Sequence, residues 1–236
     1  MSLPFFFDEN ISAAAGMITL SEPTSKHVVQ VLRMRPGEGL QLTDGKGLLL
    51  TAEIAEDNRK KCTVKIVQSI QLPAPARETC IAISLLKNSS RFEWFLEKAT
   101  EMGISRIVPL VCKRTEKQHF RAGRMQNILV SAMLQSRQCH LPFLEEPAGF
   151  ADWVKKEAAD YRKYIAYCGE ENAKQPFHLQ IDSSSGQLIA IGPEGDFTEA
   201  EIQSALEQGF VTVSLGETRL RTETAGLVAA ALLTQL

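Results

Sequence analysis

Leu188-Ile-Ala-Ile-Gly-Pro-Glu-Gly-Asp-Phe197, followed by Thr198 and Glu201, packs a strand, a turn and a helix start into one short span. Leu188–Ile191 is a short uninterrupted apolar run, the mark of a strand buried on both faces. Gly192 and Gly195 allow close backbone approach, and Pro193 stiffens the turn between them. Thr198 with Glu201 three residues on is a capping box that opens a helix, which Gly209 ends. The same rhythm then repeats. Val211–Leu215 is a strand, Gly216 to Arg221 a turn, and Thr222 onward a helix rich in alanine and leucine.

Working upstream, Cys80–Leu86 is another continuous apolar strand, and Ser90 with Glu93 forms a second capping box. The helix it opens carries Phe92, Phe95, Leu96, Ala99 and Met102 at helical spacing and stops at Gly103. Ile104–Val111 and Tyr164–Tyr167 read as strands and Arg124–Gln138 as a helix. Strands alternating with helices imply an α/β domain with a mostly parallel sheet.

The first 70 residues have a different rhythm. Phe5–Phe7, Leu40–Leu42, Leu48–Ile54 and Cys62–Val67 are short strands, with turns at Asp44-Gly45 and Asp57–Lys61. A helix over Ser25–Met34 would present Val28, Val31 and Leu32 on one side before Pro36-Gly37 stops it. Short strands with tight turns point to a small β-barrel. Leu72-Pro-Ala-Pro-Ala-Arg77 reads as a stiff linker, giving a barrel over 1–70, a linker over 71–77 and an α/β domain over 78–236.

A length of 236 residues suits two domains, and 44% apolar with 23% charged residues is an ordinary globular balance. The longest uncharged apolar run, Ala225–Leu233, falls short of the roughly 18 residues of a membrane span. The opening residues lack the features of a secretory signal. Five scattered cysteines without CxxC spacing argue against both a disulfide framework and a zinc site, and for a cytoplasmic protein. His27, His119, His140 and His178 show no pairing that suggests a metal or a nucleophile. The net charge of −2 hides a neutral segment 1–70, a basic segment 77–140 at +6 and an acidic segment 141–236 at −8. A basic middle in a mildly acidic chain suggests a local anionic partner.

In open α/β sheets ligands bind where strand ends meet helix starts. Two such turns stand out, Ile191–Phe197 and Leu215–Ala225. The second gathers two arginines, two glutamates and three threonines. Each alone reads equally well as an ordinary strand-to-helix turn, with Thr222 as a cap. Neither carries the Gly-Lys-Ser/Thr of a phosphate loop or GxGxxG, which disfavours nucleotide enzymes of those types.

Taken together, Ile191-Gly-Pro-Glu-Gly-Asp-Phe-Thr198 and Leu215-Gly with Leu220-Arg-Thr-Glu-Thr-Ala225 resemble the SPOUT superfamily of RNA methyltransferases. Within it the pattern is similar to the 16S ribosomal RNA uracil N3-methyltransferases. The resemblance reaches upstream through His27–Arg33 with Pro36-Gly37, the region of Lys87, and Lys98–Ile104 leading to Pro109. It implies an N-terminal PUA-like barrel, a C-terminal domain tied in a deep trefoil knot, S-adenosylmethionine as methyl donor and a homodimer acting on ribosomal RNA or the small subunit. It also implies cofactor contacts from Tyr167, Gly169 and Glu170, from Ile191, Gly192, Pro193, Glu194 and Gly195, and from Leu215, Gly216, Leu220 and Arg221.

Methylation at N3 of uracil requires loss of a proton, hence a base or stabilisation of the developing anion. Arg221 is the candidate for stabilising O2 or O4; a phosphate contact or an ion pair with Glu223 are its other readings. Glu194 or Glu223 could accept the proton, and Glu223 reads equally as a helix-start acid. The candidate RNA contacts are Arg33 and Arg35 in the barrel, then Lys87, Arg91, Lys113, Arg114, Lys117, Arg121 and Arg124. Three features depart from the family pattern. Leu3-Pro4 stands where an arginine is common. Leu134-Gln135 replaces Glu-Gln, with Gln138 near an arginine position. Asp196 replaces a second glycine. Methylation of another RNA or of a ribose 2′-hydroxyl, and RNA binding without catalysis, remain open readings.

Overall fold

The computed structural model describes residues 3–116, 119–156, 161–169, 175–181 and 185–235. The chain forms two compact units, Met1–Ala74 with Met133–Leu141, and Pro75–Ala132 with Pro142–Leu236. Among the described residues no helix is long and apolar enough to cross a membrane.

The first unit holds β1 (Phe5–Phe7), β2 (Met17–Thr19), α1 (Glu22–Lys26), β3 (Gly39–Thr43), β4 (Leu48–Glu56) and β5 (Thr63–Gln71). Its sheet runs β1-β3-β4-β5-β2, antiparallel except for β1 beside β3, and makes a half-barrel. Strand alternation sends Leu48, Leu50, Ala52 and Ile54 inward, where they meet Leu40, Leu42 and Val64. The helix expected over Ser25–Met34 starts earlier, at Glu22, ends earlier, at Val31, and is irregular. After α1 the chain widens into a π turn, His27–Val31, and leaves it at Arg33 with φ +57°. The wider turn keeps Val28 fully buried but rotates Val31 and Leu32 into solvent, 66% and 41% exposed.

The Met133–Leu141 stretch belongs to this unit through backbone pairing. Gly47 N–H donates to the Cys139 carbonyl and Leu141 N–H to that of Gly45, both at 2.8 Å. Arg137, itself at φ +57°, donates to the Leu3 carbonyl at 2.8 Å and to Gln41 Oε1 at 3.3 Å. The departures at Leu3 and beside Gln138 therefore lie on two segments joined by Arg137.

The second unit holds β6 (Thr79–Ser84), α2 (Ser89–Glu101), β7 (Arg106–Val111), α3 (Ala122–Gln135), β8 (Phe143–Leu144), β9 (Ala148–Gly149), α4 (Phe150–Lys156), β10 (Tyr161–Ala166), β11 (Gln175–Pro176), β12 (Gly186–Ile191), α5 (Glu199–Glu207), β13 (Val211–Ser214) and α6 (Thr222–Gln235). The pairings described are all parallel, in the order β11-β13-β10-β12-β6-β7-β8, with β9 also on β7. Every residue of β6 is buried, as its unbroken apolar run predicts. On one side of the sheet Phe150, Trp153, Phe197 and Phe210 interlock, with Phe150 and Phe197 ring centroids 5.1 Å apart.

The capping box expected at Ser90 does not form. Asn88 caps α2 instead, its side chain accepting from Ser90 N–H at 2.9 Å. With the cap at Asn88 the box position falls on Arg91, and Glu93 instead accepts from Arg124 through both carboxylate oxygens, at 2.6 and 2.8 Å. The box at Thr198 and Glu201 forms in full. α6 lies tight on its neighbours. A β-carbon at Gly226 would sit 2.7 Å from the Phe95 ring and 2.8 Å from Ile83.

Candidate active site

The strand order places β13, β10 and β12 side by side, and parallel register aligns their carboxyl ends. Ala166 sits opposite both Ile191 and Val213. The turns that follow, 167–169, 192–197 and 215–221, therefore start level and line one cavity of about 780 Å³. That size suits a nucleoside-sized ligand.

Of the residues expected to hold a cofactor, Tyr167, Gly169, Ile191, Gly192, Pro193, Glu194, Leu215, Gly216, Leu220 and Arg221 line the cavity. Gly195 is behind the lining, its carbonyl accepting from Arg114 Nη1 at 2.7 Å. Glu170 lies outside the described residues. Asp196, known from the sequence only as a departure from the family pattern, and Glu199, Glu217 and Arg219 also line it. Their signal was present, since all four lie within or directly beside the two quoted turns.

Local geometry explains the shape. A β-carbon at Gly192 would lie 3.0 Å from the Phe197 ring and 3.2 Å from the Phe197 backbone nitrogen. Only glycine lets the turn fold back on Phe197, which anchors it in the core. Asp196 adopts φ +64°, the left-handed conformation that the family's glycine would take without strain. Its carboxylate accepts from Phe197 N–H at 2.8 Å and from Cys168 N–H at 3.0 Å. Arg114 Nη1 also donates to the Phe197 carbonyl at 3.3 Å, and Lys113 N–H donates to Glu201 Oε1 at 2.8 Å. Across the opening, Arg219 reaches the Glu194 carbonyl at 3.4 Å.

The lining carries carboxylates at Glu194, Asp196, Glu199 and Glu217, and guanidiniums at Arg114, Arg219 and Arg221. A ligand bearing several cationic groups and a carboxylate matches that mixture. Arg221 is exposed on the cavity lining. Glu223 is placed differently. It is 7% exposed, does not line the cavity, and sits 3.6 Å from Arg91 Nε with its Oε2 lacking a hydrogen bond. Burial pushes the pKa of the Cys112 thiol up to about 12. Among the described residues no group of three or more potential metal ligands comes together.

The candidate RNA contacts divide between the units. In the first, Arg35 pairs with Asp57 at 3.1 Å, while Arg33 is exposed. In the second, Lys87 pairs with Glu116 at 2.7 Å, and Glu116 followed by the charge of Glu194 raises its pKa. Arg91 faces Glu223, and Arg124 holds Glu93, whose pKa it lowers with a smaller contribution from Arg121. Arg114 is at the cavity instead. Lys117 lies outside the described residues. Of these acidic partners, Glu93 and Glu116 are already counted in the +6 of segment 77–140, and Glu223 comes from outside it.

Comparison with known proteins follows the same division. Residues 73–234 match the family model described as an RNA methyltransferase domain, and residues 20–67 match the RNA methyltransferase PUA domain. The chain is 30% identical over 224 residues to the ribosomal RNA small subunit methyltransferase E of Synechocystis, covering 91% of this chain and 71% of that protein. A crystal structure of a probable rRNA methyltransferase from Porphyromonas gingivalis is 36% identical, covers 99% of both chains and superposes with a TM-score of 0.90. The ribosomal RNA small subunit methyltransferase E of Neisseria gonorrhoeae, solved bound to S-adenosylmethionine, is 29% identical with a TM-score of 0.82 over 99% of this chain and 98% of that one. With its α/β unit and its half-barrel both matched, the chain belongs to the RNA methyltransferase family, carrying that family's PUA domain ahead of a SPOUT-type methyltransferase domain.

Proposed function

We propose that the protein transfers a methyl group from S-adenosylmethionine to N3 of a uridine in small-subunit ribosomal RNA. The observation that carries this reading is the meeting of three strand-end turns at one cavity of about 780 Å³, within a domain matching the RNA methyltransferase family. The named relatives, one of them solved with S-adenosylmethionine, support the donor and the substrate class.

The residues present fit the donor. Ile191, Leu215 and Leu220 offer apolar surface for an adenine ring, and the glycine-containing turns offer backbone hydrogen-bonding groups. The cavity's carboxylates and arginines match a molecule with a sulfonium, an ammonium and a carboxylate. When bound, S-adenosylmethionine supplies an electrophilic methyl group on cationic sulfur.

The protein's own work is alignment and charge control. The cavity walls hold the donor so that uracil N3 bonds to the methyl carbon as the sulfur–carbon bond breaks, its electron pair remaining on sulfur. Arg221, charged and exposed at the cavity rim, stabilises the uracil oxygen on which negative charge develops. Glu194, also on the lining and exposed, takes the N3 proton. Glu223 pairs with Arg91 and positions the start of α6.

The PUA-type unit, with Arg33 and Arg35, and the basic positions Lys87, Arg91, Arg121 and Arg124 bind the RNA backbone, so affinity falls as salt rises. A homodimer, a cytoplasmic location and a deep trefoil knot belong to the same proposal. The strand order β13-β10-β12-β6-β7, with the turns after β12 and β13 facing one cavity, supports the knot.

The test is methyl transfer to small ribosomal subunits from cells lacking this gene, with the product nucleoside identified by mass spectrometry. N3-methyluridine is expected. A methylated ribose or another base would overturn the uracil assignment; no transfer together with no binding of S-adenosylmethionine would favour an RNA-binding role, and binding without transfer another RNA substrate.

A further inference from the structure

We propose that Asp196 is a positioning residue of the donor cavity, tying the turn after β12 to the turn after β10 and so fixing the distance between two of its walls. The inference rests on reading the cavity as the S-adenosylmethionine site.

Three observations carry it. Asp196 holds φ +64°, a conformation uncommon for a residue with a side chain, although aspartate tolerates it better than most. Such backbone persists where surrounding contacts enforce it, and it concentrates at functional sites. Next, both of its carboxylate oxygens are used, and on different turns. Oδ1 accepts from Phe197 N–H at 2.8 Å, and Oδ2 from Cys168 N–H, 28 residues earlier, at 3.0 Å. Hydrogen bonds to an ionised acceptor are stronger than neutral ones, so the carboxylate is a better bridge than an amide or hydroxyl. Finally, the turn is held from its other side too. Arg114 donates to the Gly195 and Phe197 carbonyls at 2.7 and 3.3 Å, and Tyr167 N–H is bonded to the Val213 carbonyl at 3.4 Å. Asp196 is thus the link between two walls, each already secured elsewhere.

The resemblance adds a contrast. A glycine at this place would accept the left-handed backbone without strain and would have no carboxylate. The aspartate brings the bridge to Cys168, and that bridge crosses the cavity wall that receives the donor.

Asp196→Gly removes the bridge while suiting the backbone angle, and Asp196→Asn keeps one acceptor oxygen. Binding of S-adenosylmethionine by calorimetry, exchange of the Cys168 amide by mass spectrometry and steady-state kinetics would be measured on the full chain. For Asp196→Gly we expect a Kd for S-adenosylmethionine about tenfold higher and a matching rise in its KM, with kcat at saturating donor within about twofold of the parent. The Cys168 amide should exchange faster without any ligand. Asp196→Asn should fall between the two, about threefold weaker than the parent. An unchanged Kd in Asp196→Gly overturns the proposal. If that variant does not fold, an unchanged Kd in Asp196→Asn does so. A parent protein that fails to bind S-adenosylmethionine refutes the donor assignment instead, while the amide exchange still reports whether the bridge exists.

Discussion

The two turns that face each other across the cavity are built in opposite ways. The turn after β12 is pinned on every side: Gly192 and Pro193 are buried, Phe197 reaches into the core, Arg114 grips two of its carbonyls, and Asp196 binds it to the neighbouring turn. The turn after β13 is open. Residues 216–219 and 221 are exposed, and its described bonds are Ser214 Oγ to both ends of Gly216, Ala225 N–H to the Arg221 carbonyl at 2.8 Å, and the long contact from Arg219. On the proposed reading, a fixed wall suits the small donor, which must be held in one alignment, and an exposed wall carrying Arg221 suits the RNA that docks from outside. The difference teaches that damage to the first turn should appear in donor affinity, and damage to the second in turnover.

The largest expected effect tests the open wall. Arg221→Ala should lower kcat by about a hundredfold or more while the Kd for S-adenosylmethionine stays within about threefold, the cost of one lost transition-state donor. Loss of donor binding in step with kcat would erase the contrast. Next, Gly192→Ala forces a β-carbon against the Phe197 ring and backbone nitrogen. Such overpacking should cost about 1–3 kcal/mol in thermal or denaturant unfolding. It should also weaken donor binding about tenfold or more through the displaced turn.

A smaller difference separates two arginines. Arg114→Ala frees the carbonyls of the fixed turn and should raise the donor Kd about fivefold, whereas Arg219→Ala should change it less than about twofold, given a single long contact. Equal effects in calorimetry would show that both walls hold the donor alike.

The smallest effect lies outside both turns and asks whether Arg124 has a structural use. Arg124 holds the Glu93 carboxyl below its ordinary value of 4.5. The carboxylate is favoured in the folded state, so this stabilisation is complete above 4.5 and fades as pH falls through the lowered folded-state value. With Arg124 largely exposed, its size should be under about 1 kcal/mol. Unfolding of Glu93→Gln across acid pH should show that part of the slope removed; an identical slope would mean the pair contributes nothing.

Much of this site is legible in the residues themselves. β12, its turn and α5 can be read because their causes are local: an apolar run, a glycine, and a threonine three residues before a glutamate. The helix start at α2 shows the limit. Ser90 and Glu93 spell a capping box, yet Asn88 takes the cap and starts the helix earlier, while Glu93 pairs with Arg124, 31 residues on. The helix expected at Ser25–Met34 fails for a related reason, since the π turn places Val31 and Leu32 by packing that the apolar spacing does not encode. Short elements such as β8, β9 and β11 carry too few residues to show any period.

The alternation of strands and helices, the paired turns and the family they resemble can all be read from the amino-acid order alone, because each depends on residues a few positions apart. Tertiary structure decided which strand ends lie level, that Met133–Leu141 joins the first unit, that Glu223 lies away from the cavity, and that Asp196 meets Cys168. Those outcomes depend on hydrogen bonds and burial between residues far apart in the chain, which acquire partners only once the parallel sheet has brought its carboxyl ends together.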